Sequence, residues 1–112
     1  MGPYSQAIQV SKFLWVSGQL AIDPNAGKIV AENITLQTKQ VMENIKSILE
    51  AAGYSFTDVV QTTVYLTSMA LFDEFNHEYA RFFKEPFPAR ATVGAELKSG
   101  ALVEVSAVAY KE

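Results

Sequence analysis

The segment that most limits what this chain can fold into is Ala101 to Tyr110, which has the composition of a strand with apolar residues on both faces. Side chains alternate along an extended strand, so Val103, Val105, Ala107 and Ala109 point one way and Leu102, Val108 and Tyr110 the other. Such a strand has to be covered on both sides. Glu104 interrupts the run, and a carboxylate there is expensive unless it is paired or used for chemistry.

The upstream sequence supplies one cover. Phe13 to Ser17 is β-branched and aromatic, with Ala7 to Val10 as a candidate partner strand. Asp23-Pro24-Asn25-Ala26-Gly27 is a turn, because Pro fixes φ while Asn and Gly tolerate positive values. Between Ile34 and Ala52, the apolar Ile34, Val41, Ile45, Ile48 and Ala52 recur at helical spacing, whereas Lys39, Glu43, Lys46 and Glu50 fall elsewhere on the wheel. That spacing predicts an amphipathic helix, capped by Asn33 and stopped by Gly53. Asp58 to Thr67 is dense in β-branched residues, with Val60, Thr62, Val64 and Leu66 sharing one face. A second helix is expected from about Ala70 to Phe83, burying Phe72, Phe75, Tyr79 and Phe82 and stopped by Pro86. Arg90 to Glu96 is a further strand.

The resulting order, ββαβαββ, defines an α+β fold with both helices on one face of the sheet. The second face then needs a cover from outside, and another copy of the chain is the simplest candidate. The length of 112 residues matches one domain, residues 1–112. A 49% apolar and 19% charged composition is that of a packed globule.

Several function classes are disfavoured. The chain has no cysteine, which removes disulfides, a cysteine nucleophile and the usual zinc thiolates, and fits a reducing, cytoplasmic setting. It has no apolar run long enough for a membrane helix and no signal-peptide layout at its start. A net charge of -3, with Lys and Arg scattered singly, lacks the footprint of a nucleic-acid binder. Neither phosphate-binding glycine pattern occurs.

The single histidine, His77, falls toward solvent on the second helix, away from Phe75 and Tyr79. Its spacing from Asp73 is that of a metal pair, but two ligands alone do not make a zinc site. Without a histidine base, Ser5, Ser17 and Ser106 are poor nucleophiles. Arg90, within Phe87-Pro88-Ala89-Arg90-Ala91-Thr92-Val93, is either an exposed strand-end residue or an anion anchor, since a guanidinium can fork a carboxylate. An Arg90–Glu104 ion pair would account for both residues structurally.

Five segments, collinear from Gly2 onward, resemble the RidA (YjgF) family of imine deaminases. They are Gly2-Pro3-Tyr4-Ser5-Gln6-Ala7, Val16-Ser17-Gly18-Gln19, Thr63-Val64-Tyr65-Leu66-Thr67, Pro88-Ala89-Arg90-Ala91-Thr92-Val93 and Gly100 to Ala109. The resemblance implies a chorismate-mutase-like α+β fold, assembled as a homotrimer around a central β-barrel, with a carboxylate-binding cleft between neighbouring subunits. It implies that Arg90 clamps the substrate carboxylate, helped by the backbone N–H groups of Thr92 and Gly18. Glu104 would activate water, while Tyr4 and Ser17 would shape the pocket and contact the imine end. The substrate would be a small 2-imino acid or its enamine, hydrolysed to a 2-keto acid and ammonia with no metal or organic cofactor, a form of metabolite damage control. The chain departs from the family pattern at Thr92, where cysteine is common, and at the start, where only Met1 precedes Gly2. A non-catalytic 2-keto-acid binder is the competing expectation, with ribonuclease or translation inhibition behind it.

Overall fold

A computed structural model describes residues 2–112. The elements run β1 (Ala7–Val10), β2 (Phe13–Gln19), β3 (Ile22–Asp23), β4 (Lys28–Ile29), α1 (Ile34–Ala51), β5 (Val59–Leu66), α2 (Phe72–Ala80), β6 (Ala89–Gly94) and β7 (Val103–Tyr110). One sheet takes the order β1-β2-β7-β5-β6, with only β5 and β6 parallel. That parallel step is the crossover through α2. The short β3–β4 hairpin frames the Asp23–Gly27 turn and adds two strands to the anticipated order.

Local chemistry sets the boundaries of α1. Asn33 caps it by accepting from the Leu36 N–H at 2.9 Å, and Gly53, with φ at 85°, continues the chain from its last turn. The buried stripe is Ile34, Val41, Met42, Ile45 and Leu49, and it also contains Gln37 and Thr38. Gln37 is tolerated because its amide donates to the Gly100 carbonyl at 2.9 Å and accepts from the Leu102 N–H at 2.8 Å. It thereby pins the start of β7 to the helix.

The helix-facing side of the sheet holds Leu14, Val16, Val64, Leu66, Val103, Val105, Ala107 and Ala109, packed with α1 and α2 as one core. Three expectations change in detail. A register shift between Val59 and Gln61 turns Val59 inward and leaves Val60 exposed, so Val60 does not share the Thr62 face. The second helix is shorter than anticipated: Met69–Leu71 is a 3-10 turn and Arg81 caps α2, so Pro86 lies beyond the actual stop. Leu102 precedes β7 and packs against the core instead of joining the opposite face.

The face away from the helices carries Ile8, Val10, Phe13, Trp15 and Val93, all exposed in the single chain. Phe13 packs its ring against Trp15 at 5.5 Å and Tyr110 at 4.9 Å between centroids. This apolar face is the second one anticipated from the sequence. Neither helix is long and apolar enough to cross a membrane.

Candidate active site

Glu104 lies on β7 opposite Tyr65 of β5, on the helix-free face. Gly18 sits where β2 breaks register against β7, between Val16 and Gln19. A Cβ at Gly18 would overlap the Glu104 carboxylate, standing 2.8 Å from its carboxyl carbon. Only glycine lets that carboxylate lie against the β2 backbone. Tyr4, Ser17, Gly18, Leu20 and Glu104 line a hollow of about 380 Å³.

Two bonds clip the segment carrying Tyr4 to β2. The Ser17 hydroxyl donates to the Ser5 carbonyl at 2.5 Å, and the Ser17 N–H donates to the Gln6 carbonyl at 2.9 Å. The Ser17 proton is thus committed to holding the wall, leaving its lone pairs for the hollow. The Tyr4 ring is 57% exposed at the rim.

Arg90 belongs to a different surface. It is on the edge strand β6, opposite the buried Thr62 of β5, and faces α2. Its guanidinium carbon lies 5.6 Å from the Phe72 and Phe75 ring centroids and 4.9 Å from that of Tyr79. The Tyr79 and Thr62 hydroxyls share a hydrogen bond of 2.7 Å. Burial pushes the Tyr79 phenol above its ordinary 10.0, opposed by the Thr62 hydrogen bond and by the charge and a hydrogen bond of Arg90. Asn76, Tyr79, Ala80, Phe87, Pro88 and Arg90 line a hollow of about 280 Å³. Thr92, two residues along the same face, has a buried hydroxyl oxygen without a partner, as has the Asn76 side-chain oxygen.

The sequence candidates therefore form two groups. Tyr4, Ser17, Gly18 and Glu104 surround one hollow, whereas Arg90 and Thr92 lie across the sheet. The structural Arg90–Glu104 ion pair does not form. Register and alternation place the two on opposite faces with β5 between their strands, and the ion pair found among the described residues is Arg81–Glu78 at 3.2 Å. His77 is exposed, as anticipated. A further hollow of about 570 Å³, walled by Phe56, Phe82, Phe83 and Phe87, contains none of these candidates. The sequence placed Phe72, Phe75 and Tyr79 in the core but gave them no link to Arg90; the helix stripe leading into an Arg-bearing strand was the available signal.

The architecture defines a small α+β protein with two polar surfaces on opposite faces of its sheet. The chain belongs to the Endoribonuclease L-PSP family, whose model matches residues 1–111, and which is the RidA (YjgF) family that the motifs resemble. It is 52% identical to a RutC family protein of Pyrococcus horikoshii, over all of this chain and 90% of that one. It is 43% identical to the human 2-iminobutanoate/2-iminopropanoate deaminase, over 99% of this chain and 82% of that one. The crystal structure of RidA from Psychrobacter superposes with a TM-score of 0.94 at 41% identity, covering 98% of this chain and 89% of the other.

Proposed function

We propose that this protein hydrolyses small 2-imino acids to 2-keto acids and ammonia, in a homotrimer whose sites lie between neighbouring chains. The observation that carries this reading is a pair of charged side chains with no ionic partner among the described residues: Arg90 boxed by aromatic rings on one face, and Glu104 laid over Gly18 on the other. Each hollow lacks the group that the other has. Apposing Arg90 and Thr92 of one copy to Tyr4, Ser17, Gly18 and Glu104 of the next supplies both, and would also cover the apolar face around Trp15.

In the assembled cleft the guanidinium forks the substrate carboxylate and holds the imine carbon beside a water at Glu104. Glu104 takes one proton as the water oxygen bonds to that carbon, giving a carbinolamine. That proton passes to the nitrogen, so that the carbinolamine is neutral; Glu104 then takes the hydroxyl proton as the C=O bond forms and returns it to the nitrogen as the C–N bond breaks, releasing ammonia. The human relative's name describes this reaction class.

A pure 2-keto-acid binder would have no use for a carboxylate facing another carboxylate, because like charges oppose binding. The family model's description names ribonuclease chemistry, but a net charge of -3 and a single, exposed histidine supply neither phosphate attraction nor an acid–base pair.

The test is decay of the imine formed from 2-aminoacrylate, with and without the protein, alongside calorimetric titration of 2-ketobutyrate. The assembled protein should speed decay. Arg90→Ala should abolish turnover and weaken binding about 30-fold or more, and Arg90→Lys should rescue poorly. Parent-like binding and turnover by assembled Arg90→Ala would overturn the proposal.

A further inference from the structure

We infer that Tyr79 is the positioning residue of the anion site: its ring, with those of Phe72 and Phe75, holds the Arg90 guanidinium in place of a carboxylate partner, so that N–H donors remain for a ligand carboxylate. This rests on the proposed role of Arg90 and names the device that makes the role workable.

A part-buried arginine ordinarily finds an acidic partner, which fixes its position but occupies its donors and cancels its charge. Arg90 has no carboxylate partner among the described residues. Aromatic faces solve the same problem differently, because the ring quadrupole attracts the cation while accepting no N–H donor in the guanidinium plane. Tyr79 makes the shortest of the three approaches, 4.9 Å against 5.6 Å for each phenylalanine.

The Tyr79 ring is itself fixed at both ends. Its hydroxyl is tied at 2.7 Å to the Thr62 hydroxyl, and Thr62 is the β5 residue directly opposite Arg90. The ring also packs against Phe75 at 5.3 Å and Phe83 at 4.9 Å. The strand pair that carries the arginine thus also locates the ring that holds it. Burial keeps the phenol protonated through neutral pH, so the ring adds no negative charge that would compete with a ligand.

The rings and the tie to Thr62 predict separable effects. Tyr79→Leu removes the ring face but keeps an apolar side chain, and should raise the dissociation constant for 2-ketobutyrate about tenfold. Its KM should rise by a similar factor, with kcat changing less. Tyr79→Phe keeps the face and loses the hydroxyl, with its bonds to Thr62 and Arg90, and should lose less than Tyr79→Leu, about threefold. In NMR spectra, the Arg90 side-chain protons should show an upfield ring-current shift that survives in Tyr79→Phe and shrinks in Tyr79→Leu. Should Tyr79→Leu fail to fold, Phe72→Leu, at a part-buried position, carries the test, with a loss of about threefold and the same loss of ring-current shift. Parent-like binding by the leucine variant that folds, or equal losses in Tyr79→Leu and Tyr79→Phe, would overturn the inference. Parent-like binding by Arg90→Ala would instead remove the functional reading beneath it, so the two failures are distinguishable.

Discussion

Arg90 and Glu104 lie on opposite faces of one five-stranded sheet, on strands separated by β5. Two strand spacings come to about 10 Å before the sheet's own thickness is counted. No small ligand of one chain can touch both side chains. If both act on one substrate, they come from two chains.

The contact between Gly18 and Glu104 is a steric demand with a measurable outcome. Gly18→Ala should displace the Glu104 carboxylate and lower kcat/KM about tenfold or more, because the new Cβ has no room beside it. Thermal unfolding should change little, since the clash falls at a partly exposed surface. Parent-like turnover in Gly18→Ala would mean that the carboxylate's place over β2 is irrelevant.

Glu104→Gln keeps the shape of the side chain but removes its ability to take a proton. It should retain 2-ketobutyrate binding and lose most imine hydrolysis, which parallel calorimetry and decay assays would establish. Unchanged turnover would assign the water to another group.

Much of the fold was legible in the sequence because its signals are local. Asn33 and Gly53 delimit α1 by capping chemistry, and the alternation of β7 specifies which residues enter the core. The bulge at Val59–Gln61 was not, because consecutive valines look alike on either face. The separation of Arg90 from Glu104 was hidden for a related reason. Arg90 is flanked by Ala89 and Ala91, whose small size does not betray a face, and its side is fixed only by parallel pairing with Thr62 across a helical crossover. The site residues were individually suggested by motif, but their division between two surfaces is a property of sheet order.

The apolar face around Trp15 gives a prediction for assembly. The parent should sediment as a trimer at micromolar concentration. Trp15→Glu, which sets a charge among Phe13, Ile8 and Val10, should shift it toward monomer, since each large apolar side chain buried is worth about 1.5–3 kcal/mol. Catalysis should fall with assembly. A parent that sediments as a stable monomer would contradict both the covered face and the shared cleft.

The buried phenol makes stability depend on alkaline pH. Burial raises Tyr79 above 10.0, so as pH increases the unfolded chain releases that proton first and the folded state is progressively disfavoured. Stability should be unaffected by this group below about pH 9 and decline from about pH 10 upward. Urea titrations at stepped pH should show a shallower decline in Tyr79→Phe than in the parent. Identical slopes would show that the phenol does not contribute.

The shared cleft itself is tested most directly by mixing two inactive chains. Arg90→Ala and Glu104→Gln would be co-expressed, purified as mixed assemblies and assayed for imine decay beside each variant alone. Where a site takes its arginine from one chain and its glutamate from the next, random assembly of equal amounts leaves about a quarter of the sites with both intact. The mixture should therefore recover about a quarter of the parent's activity while each variant alone stays near background. Mixed assemblies no more active than their separate components would contradict the account, because both residues would then have to act from the same chain.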